Sequence, residues 1–189
     1  MREFNYPIMP EIMRRWSPRA FSEAPVAKEE ILALLEAARF APSCYNEQPW
    51  RFIVAHTPEE LQAMQSLLAE QNHAWAKHAP ALLLLLAKRT FSHQGQENYW
   101  HVFDTGTAWG FLSLEAERRG LIAHAMGGFS RKRAAQLFGL SPDFAPIAIV
   151  AIGKLGDPSS LSPELQEREQ PGMRRALSEL IISSPDRKS

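Results

Sequence analysis

Cysteine is nearly absent. Cys44 is the single one among 189 residues, which excludes a disulfide within the chain and a cysteine metal cluster. Excess charge is absent too: Lys+Arg and Asp+Glu both number 21, so nothing in the balance argues for nucleic acid or an anionic membrane surface. The leucine-rich run Ala81–Ala87 is far shorter than the ~20 residues of a membrane-spanning helix. Met1–Arg15 holds no apolar stretch of the kind a secretory signal needs. These absences lead to the expectation of a soluble, cytoplasmic protein. No Gly-x-Gly-x-x-Gly follows a strand pattern, and no Walker loop or Gly-x-Ser-x-Gly elbow is present. The six histidines (56, 73, 78, 93, 101 and 124) show no metal-ligand spacing beyond a weak His73/His78 pair.

What is present suits one compact domain over residues 1–189, with 45% hydrophobic residues for a core. Residues 1–10 read as an extended arm. A short helix starts near Pro10 and is broken at Ser17-Pro18. Ile31, Leu34, Leu35 and Ala38 fall at i, i+3, i+4, i+7, which predicts a helix over Lys28–Phe40. Trp50–His56 reads as a strand. Thr57 and Pro58 are an N-cap and first helical residue, with Leu61, Met64, Leu67 and Leu68 on the buried face. Gln71–His78 reads as a polar linker. Ala81–Lys88 fits a strand buried on both faces, although leucine alone does not separate it from a buried helix. Thr90–Glu97 is a polar loop. A long helix is expected from Tyr99 to about Arg119, where Gly120 ends it; Gly106, Ala108 and Gly110 would let another helix approach. Leu121–Met126 and Ala145–Ile152 read as strands, separated by Gly127-Gly128 and a helix that Ser130 caps. After Gly153 the chain is loop-like until Arg174–Ile182. Helices mixed with separated strands predict an α+β or three-layer α/β class.

One stretch organises the rest: Ala41-Pro42-Ser43-Cys44-Tyr45-Asn46-Glu47-Gln48-Pro49-Trp50-Arg51-Phe52. Taken alone it is a helix-to-strand connection with the usual Pro, Ser and Asn, and such a loop also offers hydrogen bonds to a flat polar ligand. Ala-Pro-Ser-x-x-Asn-x-Gln-Pro-Trp-x-Phe resembles the core signature of the FMN-dependent nitroreductase family. Arg15-Trp16-Ser17-Pro18-Arg19-Ala20-Phe21 resembles that family's N-terminal flavin motif. Met173-Arg174-Arg175-Ala176-Leu177-Ser178-Glu179-Leu180-Ile181 resembles its closing basic motif. The three occur in the family's order over nearly the whole chain.

The resemblance implies an α+β fold, a three-layer α/β/α sandwich with a small mixed sheet, in an intertwined homodimer. It implies tightly held FMN, NAD(P)H as electron donor, and ping-pong transfer to nitroaromatics, quinones or activated alkenes. Other flavin reactions on the same fold, dehalogenation or dehydrogenation, stay open, as does a non-catalytic flavin-binding or storage protein. Arg15, Trp16, Ser17 and Arg19 carry over onto the first motif and Arg174 and Arg175 onto the phosphate motif. Guanidinium forks suit a phosphate dianion, although any arginine taken singly is more often a solvated surface group. Arg19 would lie near the flavin's pyrimidine end. Pro42, Ser43, Cys44 and Asn46 would reach the flavin of the partner subunit, while Cys44 also suits the role of a small buried residue. Asn72 would meet the pyrimidine edge, its alternative being a solvated linker residue. Gly127 and Gly128 would bring backbone against the ring, with Gly128 near N5 and no catalytic side chain. Many relatives carry Glu-Gly there, and a basic residue near the position of Trp75. Tyr99, Trp100 and His101 are candidates for lining the substrate side or for packing in a dimer core. The Thr90–Asn98 loop is a lid or a plug.

Overall fold

The computed structural model describes residues 4–93 and 95–182. Eight helices and four strands lie along these residues: α1 (Pro10–Arg14), α2 (Lys28–Arg39), β1 (Trp50–Ala55), α3 (Pro58–Gln65), α4 (Glu70–Ala76), β2 (Ala81–Lys88), α5 (His101–Arg118), β3 (Ile122–Met126), α6 (Arg131–Leu137), β4 (Phe144–Gly153), α7 (Pro163–Glu167) and α8 (Leu177–Leu180). Three-residue 3-10 turns occur at Cys44–Asn46 and Pro158–Ser160.

The leucine run is β2, buried at every position from Ala81 to Ala87. Successive side chains of a strand point to opposite faces, so an all-apolar strand needs cover on both. Leu82, Leu84 and Leu86 join Ile149 and Ala151 of β4 on one face, under Met64 of α3, Trp75 and Ala76 of α4 and Ala134 of α6. Ala81, Leu83, Val150 and Ile152 form the other face, under Ile31, Leu34 and Ala38 of α2 and Ala108, Leu112 and Ala116 of α5. The result is the expected three-layer α+β sandwich.

The sheet order is β1-β2-β4-β3 and every neighbouring pair is antiparallel. The expectation of a mixed sheet is thereby corrected. The short helices α3 and α4 return the chain to the edge it left, so that Ala55 pairs with Leu82 and β2 runs back along β1. A parallel neighbour would need a crossover carrying the chain the full length of the strand. Between Leu85 and Leu86 the register shifts, from Ala148 to Pro146 on β4. Proline cannot donate to the ladder, and a bulge is where a sheet tolerates it.

Other elements differ from the sequence expectation. Residues 71–78 are not a linker: most of them form α4, which buries Trp75 and Ala76 and turns its polar residues outward. Helix α3 stops at Gln65, and Leu67 and Leu68 lie beyond it, Leu68 bridging Phe129. Gly106 and Gly110 do not serve packing within the chain, because a Cβ at either would meet nothing within 4 Å. After Gly153 the chain forms α7, and its last helix, α8, is only four residues long. No helix among the described residues is long and apolar enough to cross a membrane.

Leu84 is fully buried at the centre of the sheet. Leu84→Ala is expected to cost about 2–5 kcal/mol of unfolding free energy, read as a lower urea midpoint at unchanged m-value. A loss below about 1 kcal/mol would mean that the two-sided core does not govern stability.

Candidate functional site

The first part of the site is the arm after α1. Arg14 Nε meets Glu117 Oε1 of α5 at 3.1 Å. Arg15 is half-buried, and its Nη1 donates to the Trp16 carbonyl at 3.0 Å and to Ser17 Oγ at 3.3 Å. Beyond Pro18 the arm docks like an extra strand. Ser22 N–H donates to the Lys154 carbonyl and Gly156 N–H to the Ala20 carbonyl, both at 2.9 Å, and Phe21 bridges Leu155. A Cβ at Gly156 would lie 2.5 Å from the Phe21 carbonyl carbon, so only glycine permits this approach. Phe21 stacks on Trp75 at 6.2 Å. His124 of β3 closes the group: its ring lies 4.6 Å from that of Trp75, and its Nδ1–H donates to the Pro18 carbonyl at 2.9 Å. The carbonyl can only accept, which fixes the tautomer.

Arg19, with a side chain 20% exposed, faces Glu169. The Glu169 Oε1 accepts the N–H groups of Arg19 at 2.6 Å and Ala20 at 2.9 Å. Its Oε2 is buried without a hydrogen bond and lies 3.5 Å from Arg19 Nη1.

The second part lies past the end of β3. The Gly128 carbonyl accepts from Ala69 N–H and from Asn72 Nδ2, each at 3.0 Å. Ser130 N–H donates to the Leu67 carbonyl at 2.9 Å. Residues 67–72 and 127–130 are thus held together, and Asn72 stands in the first turn of α4 with its Oδ1 left as an acceptor. A Cβ at Gly128 would sit 2.7 Å from Asn72 Nδ2, whereas one at Gly127 would meet nothing within 4 Å. Glycine at 128 keeps the amide in place, and Gly127 borders open space.

The third part is the loop Ser43–Gln48. Tyr45, Asn46 and Gln48 all have left-handed backbones, with φ of 52°, 56° and 52°. Non-glycine residues held there cost of order 1–3 kcal/mol each and persist only when their surroundings over-determine them. Here they do. Buried Asp104 of α5 accepts Cys44 N–H on Oδ2 at 3.0 Å. Ser43 Oγ accepts Gln48 N–H at 2.9 Å, and Gln48 Nε2 donates to the Asn46 carbonyl at 2.9 Å. Glu47 Oε1 accepts Ser92 N–H at 2.9 Å and Ser92 Oγ–H at 2.6 Å. Phe91 meets Tyr45 edge-on at 5.9 Å. The Thr90–Glu97 loop is therefore pinned to the Ser43–Gln48 loop. Together they line a cleft of about 500 Å³ bounded by Tyr45, Glu47, Phe91, His93 and Gln96.

The remaining predicted residues lie elsewhere. Tyr99 and Trp100 are 79% and 54% exposed just before α5 and do not line that cleft. His101 Nδ1–H donates to the Asn98 carbonyl at 2.6 Å. Pro42 is exposed, and Trp16 and Cys44 are half-buried. Arg174 and Arg175 are exposed, as is every residue from Pro171 to Ile182, and Arg174 donates to the Gly172 and Met173 carbonyls of its own segment.

Sequence reasoning missed Asp104, His124 and Glu169. Asp104 carried a signal, as a carboxylate inside an otherwise apolar helix start. Glu169 carried none, because it follows Glu164 and Glu167 in a polar stretch that reads as solvated.

Architecture and matched sequence together define the class. The fold is the nitroreductase-like one, and the family model described as "Nitroreductase family" matches residues 12–74 and 69–154. The chain belongs to the nitroreductase family, a family of oxidoreductases. It is similar to an NADH dehydrogenase of Thermus thermophilus, 29% identical over 172 residues, with 75% of this chain and 83% of the relative covered. A solved structure described as an oxidoreductase containing FMN superposes with a TM-score of 0.93 at 40% identity, covering 98% of this chain and 96% of the other. An FMN-dependent nitroreductase from Clostridium difficile R20291 shares the fold at a TM-score of 0.67 and 21% identity, covering 78% and 87%.

Burial is the main cause that lowers the His124 pKa from its ordinary value, outweighing its hydrogen bond to Pro18. The folded state therefore holds neutral imidazole while the unfolded chain takes up a proton near pH 6.5. The stabilisation is complete above that value and is lost as pH falls through the lower folded pKa. Urea titrations of the apoprotein between pH 7.5 and 5 are expected to show falling stability, with this group contributing at most about 1.4 kcal/mol per pH unit. The slope should be shallower in His124→Gln; equal slopes would remove His124 from that role.

Proposed function

We propose that this chain is an FMN-dependent NAD(P)H oxidoreductase that works as a homodimer. The observation that carries the reading is the junction of Asn72 with Gly128. It joins an amide with a free acceptor oxygen to a backbone carrying no side chain, beside open space at Gly127. That junction suits the edge of a flat heterocycle carrying both donors and acceptors. The flavin-containing solved relative at 40% identity supports the choice of cofactor.

When bound, FMN would supply the redox chemistry, hydride transfer between NAD(P)H and a nitroaromatic, quinone or activated alkene in two half-reactions. The chain's part is to bind and orient. Asn72 Oδ1 would accept a ring N–H, and Gly128 would let backbone lie against the ring near N5. Arg15 and Ser17, with Arg174 and Arg175 of the C-terminal segment, hold the phosphate. Arg19 presents positive charge to the pyrimidine end. Pro42, Ser43, Cys44 and Asn46 complete the site from the second copy, with Asp104 holding their loop in its left-handed shape. Trp16, Tyr99, Trp100 and His101 supply apolar and aromatic surface around it.

A second copy of the chain is also what the surface asks for. Val102, Phe103 and Phe111 of α5 are 49%, 69% and 40% exposed, and Tyr6, Met9, Leu180 and Ile181 are likewise uncovered on the two terminal segments. Exposed large apolar side chains of this kind suit an interface, and Gly106 and Gly110 leave α5 open to close approach.

Heat-released flavin is expected to be FMN at about one per chain, with Arg15→Ala and Arg174→Ala each weakening it by about 1.5–3 kcal/mol, the scale of a charge-assisted hydrogen bond. FAD, or no flavin after reconstitution, would overturn the reading. The shared site is tested by refolding Arg15→Ala together with Asn46→Gly, which removes the amide but keeps the left-handed backbone. Random assembly should restore up to about a quarter of wild-type activity, because half the dimers are mixed and each holds one intact site. Heterodimers seen by native mass spectrometry without that recovery would mean that each chain builds its site alone.

A further inference from the structure

Glu169 lies beyond the matched family segments and is the residue on which the Arg19 arm closes. A carboxylate accepting two backbone N–H groups is a strong anchor, and here the donors are Arg19 at 2.6 Å and Ala20 at 2.9 Å. Both oxygens are committed to the same residue's surroundings. Oε1 takes the Arg19 backbone, and Oε2 faces the Arg19 guanidinium at 3.5 Å without a hydrogen bond. The Glu169 side chain is 1% exposed, so water does little to screen the pair.

We propose that Glu169 is a positioning residue that holds Arg19 and cancels much of its charge at the redox site, setting the flavin potential lower than an unpaired arginine would. The inference rests on the flavin reading above and deepens it. An isolated guanidinium favours the anionic reduced cofactor over the neutral oxidised one. A buried carboxylate at ion-pair distance opposes that preference, so the pair leaves the reduced state less stabilised and more strongly reducing. His124, across the Pro18 carbonyl from this pair, adds no charge while it is neutral. Glutamine at position 169 would keep a carbonyl acceptor for the two backbone N–H groups while removing the charge.

The test is the two-electron midpoint potential of the FMN-loaded protein by anaerobic spectroelectrochemistry at pH 7. Glu169→Gln should shift it upward, equivalent to about tenfold tighter binding of reduced relative to oxidised flavin, or about 30 mV for a two-electron couple. Arg19→Gln should shift it downward. The double variant, in which both charges are gone, should return close to wild type. Glu169→Asp keeps the charge and should move the potential less than Glu169→Gln, even where it weakens the arm's docking. A midpoint in Glu169→Gln equal to wild type overturns the proposal, as does an Asp variant that shifts as far as the Gln variant. If Glu169→Gln alone does not fold, a double variant lying at the Arg19→Gln value overturns it, and one near wild type supports it. Failure of the wild-type protein to bind FMN would instead sink the functional reading itself. Glu167→Gln, an exposed carboxylate in the same segment, is the charge control and should leave the potential unchanged.

Discussion

A strand without a polar face forces the design of this protein. β2 presents leucine and alanine to both sides of the sheet, and no single layer of helices can cover both. The chain therefore lays α2 and α5 on one side and α3, α4 and α6 on the other. The return through α3 and α4 brings Asn72 to Gly128, and the α5 layer brings Asp104 under the Ser43–Gln48 loop. The polar residues of the candidate site are thus placed by the demand to bury five leucines.

A second constraint works at the edges of the sandwich. The arm 15–22 has no sheet of its own, yet it must hold Arg19 still. It borrows backbone partners from Lys154 and Gly156, a ring from Trp75, an N–H donor from His124 and a carboxylate from Glu169. These holds come from four places in the sequence, so the arm's position depends on the closed sandwich rather than on its own residues.

How much of this the sequence disclosed follows the same physics. The helix over 28–39 was legible from its i, i+3, i+4, i+7 stripe, and the strands over 50–55, 81–88 and 144–153 as short apolar runs bounded by proline, glycine or charge, the leucine run being open to a buried helix as well. α4 was not, because Trp75 and Ala76 give too little apolar periodicity in seven residues to stand out from Gln71, Asn72 and His73. The antiparallel sense of the sheet was hidden, because pairing direction depends on where connections return and not on strand composition. The resemblance to the nitroreductase family pointed to Asn72, Gly128, Arg15 and Arg19 as candidates. It could not disclose what steadies them: Glu169 is 150 residues from Arg19 in sequence, and Asp104 is 60 from Cys44.

The left-handed residues of the Ser43–Gln48 loop have a consequence for anyone breeding a hardier form of this protein. Selection for heat resistance rewards relief of local strain, and glycine at 45 or 48 would relieve it at once. The same exchange would free a loop whose shape is otherwise dictated from α5. Heat-selected variants that gather glycines there would gain melting temperature while the rim of the candidate site became a set of interconverting shapes, and any activity that depends on that rim would decline as tolerance rose.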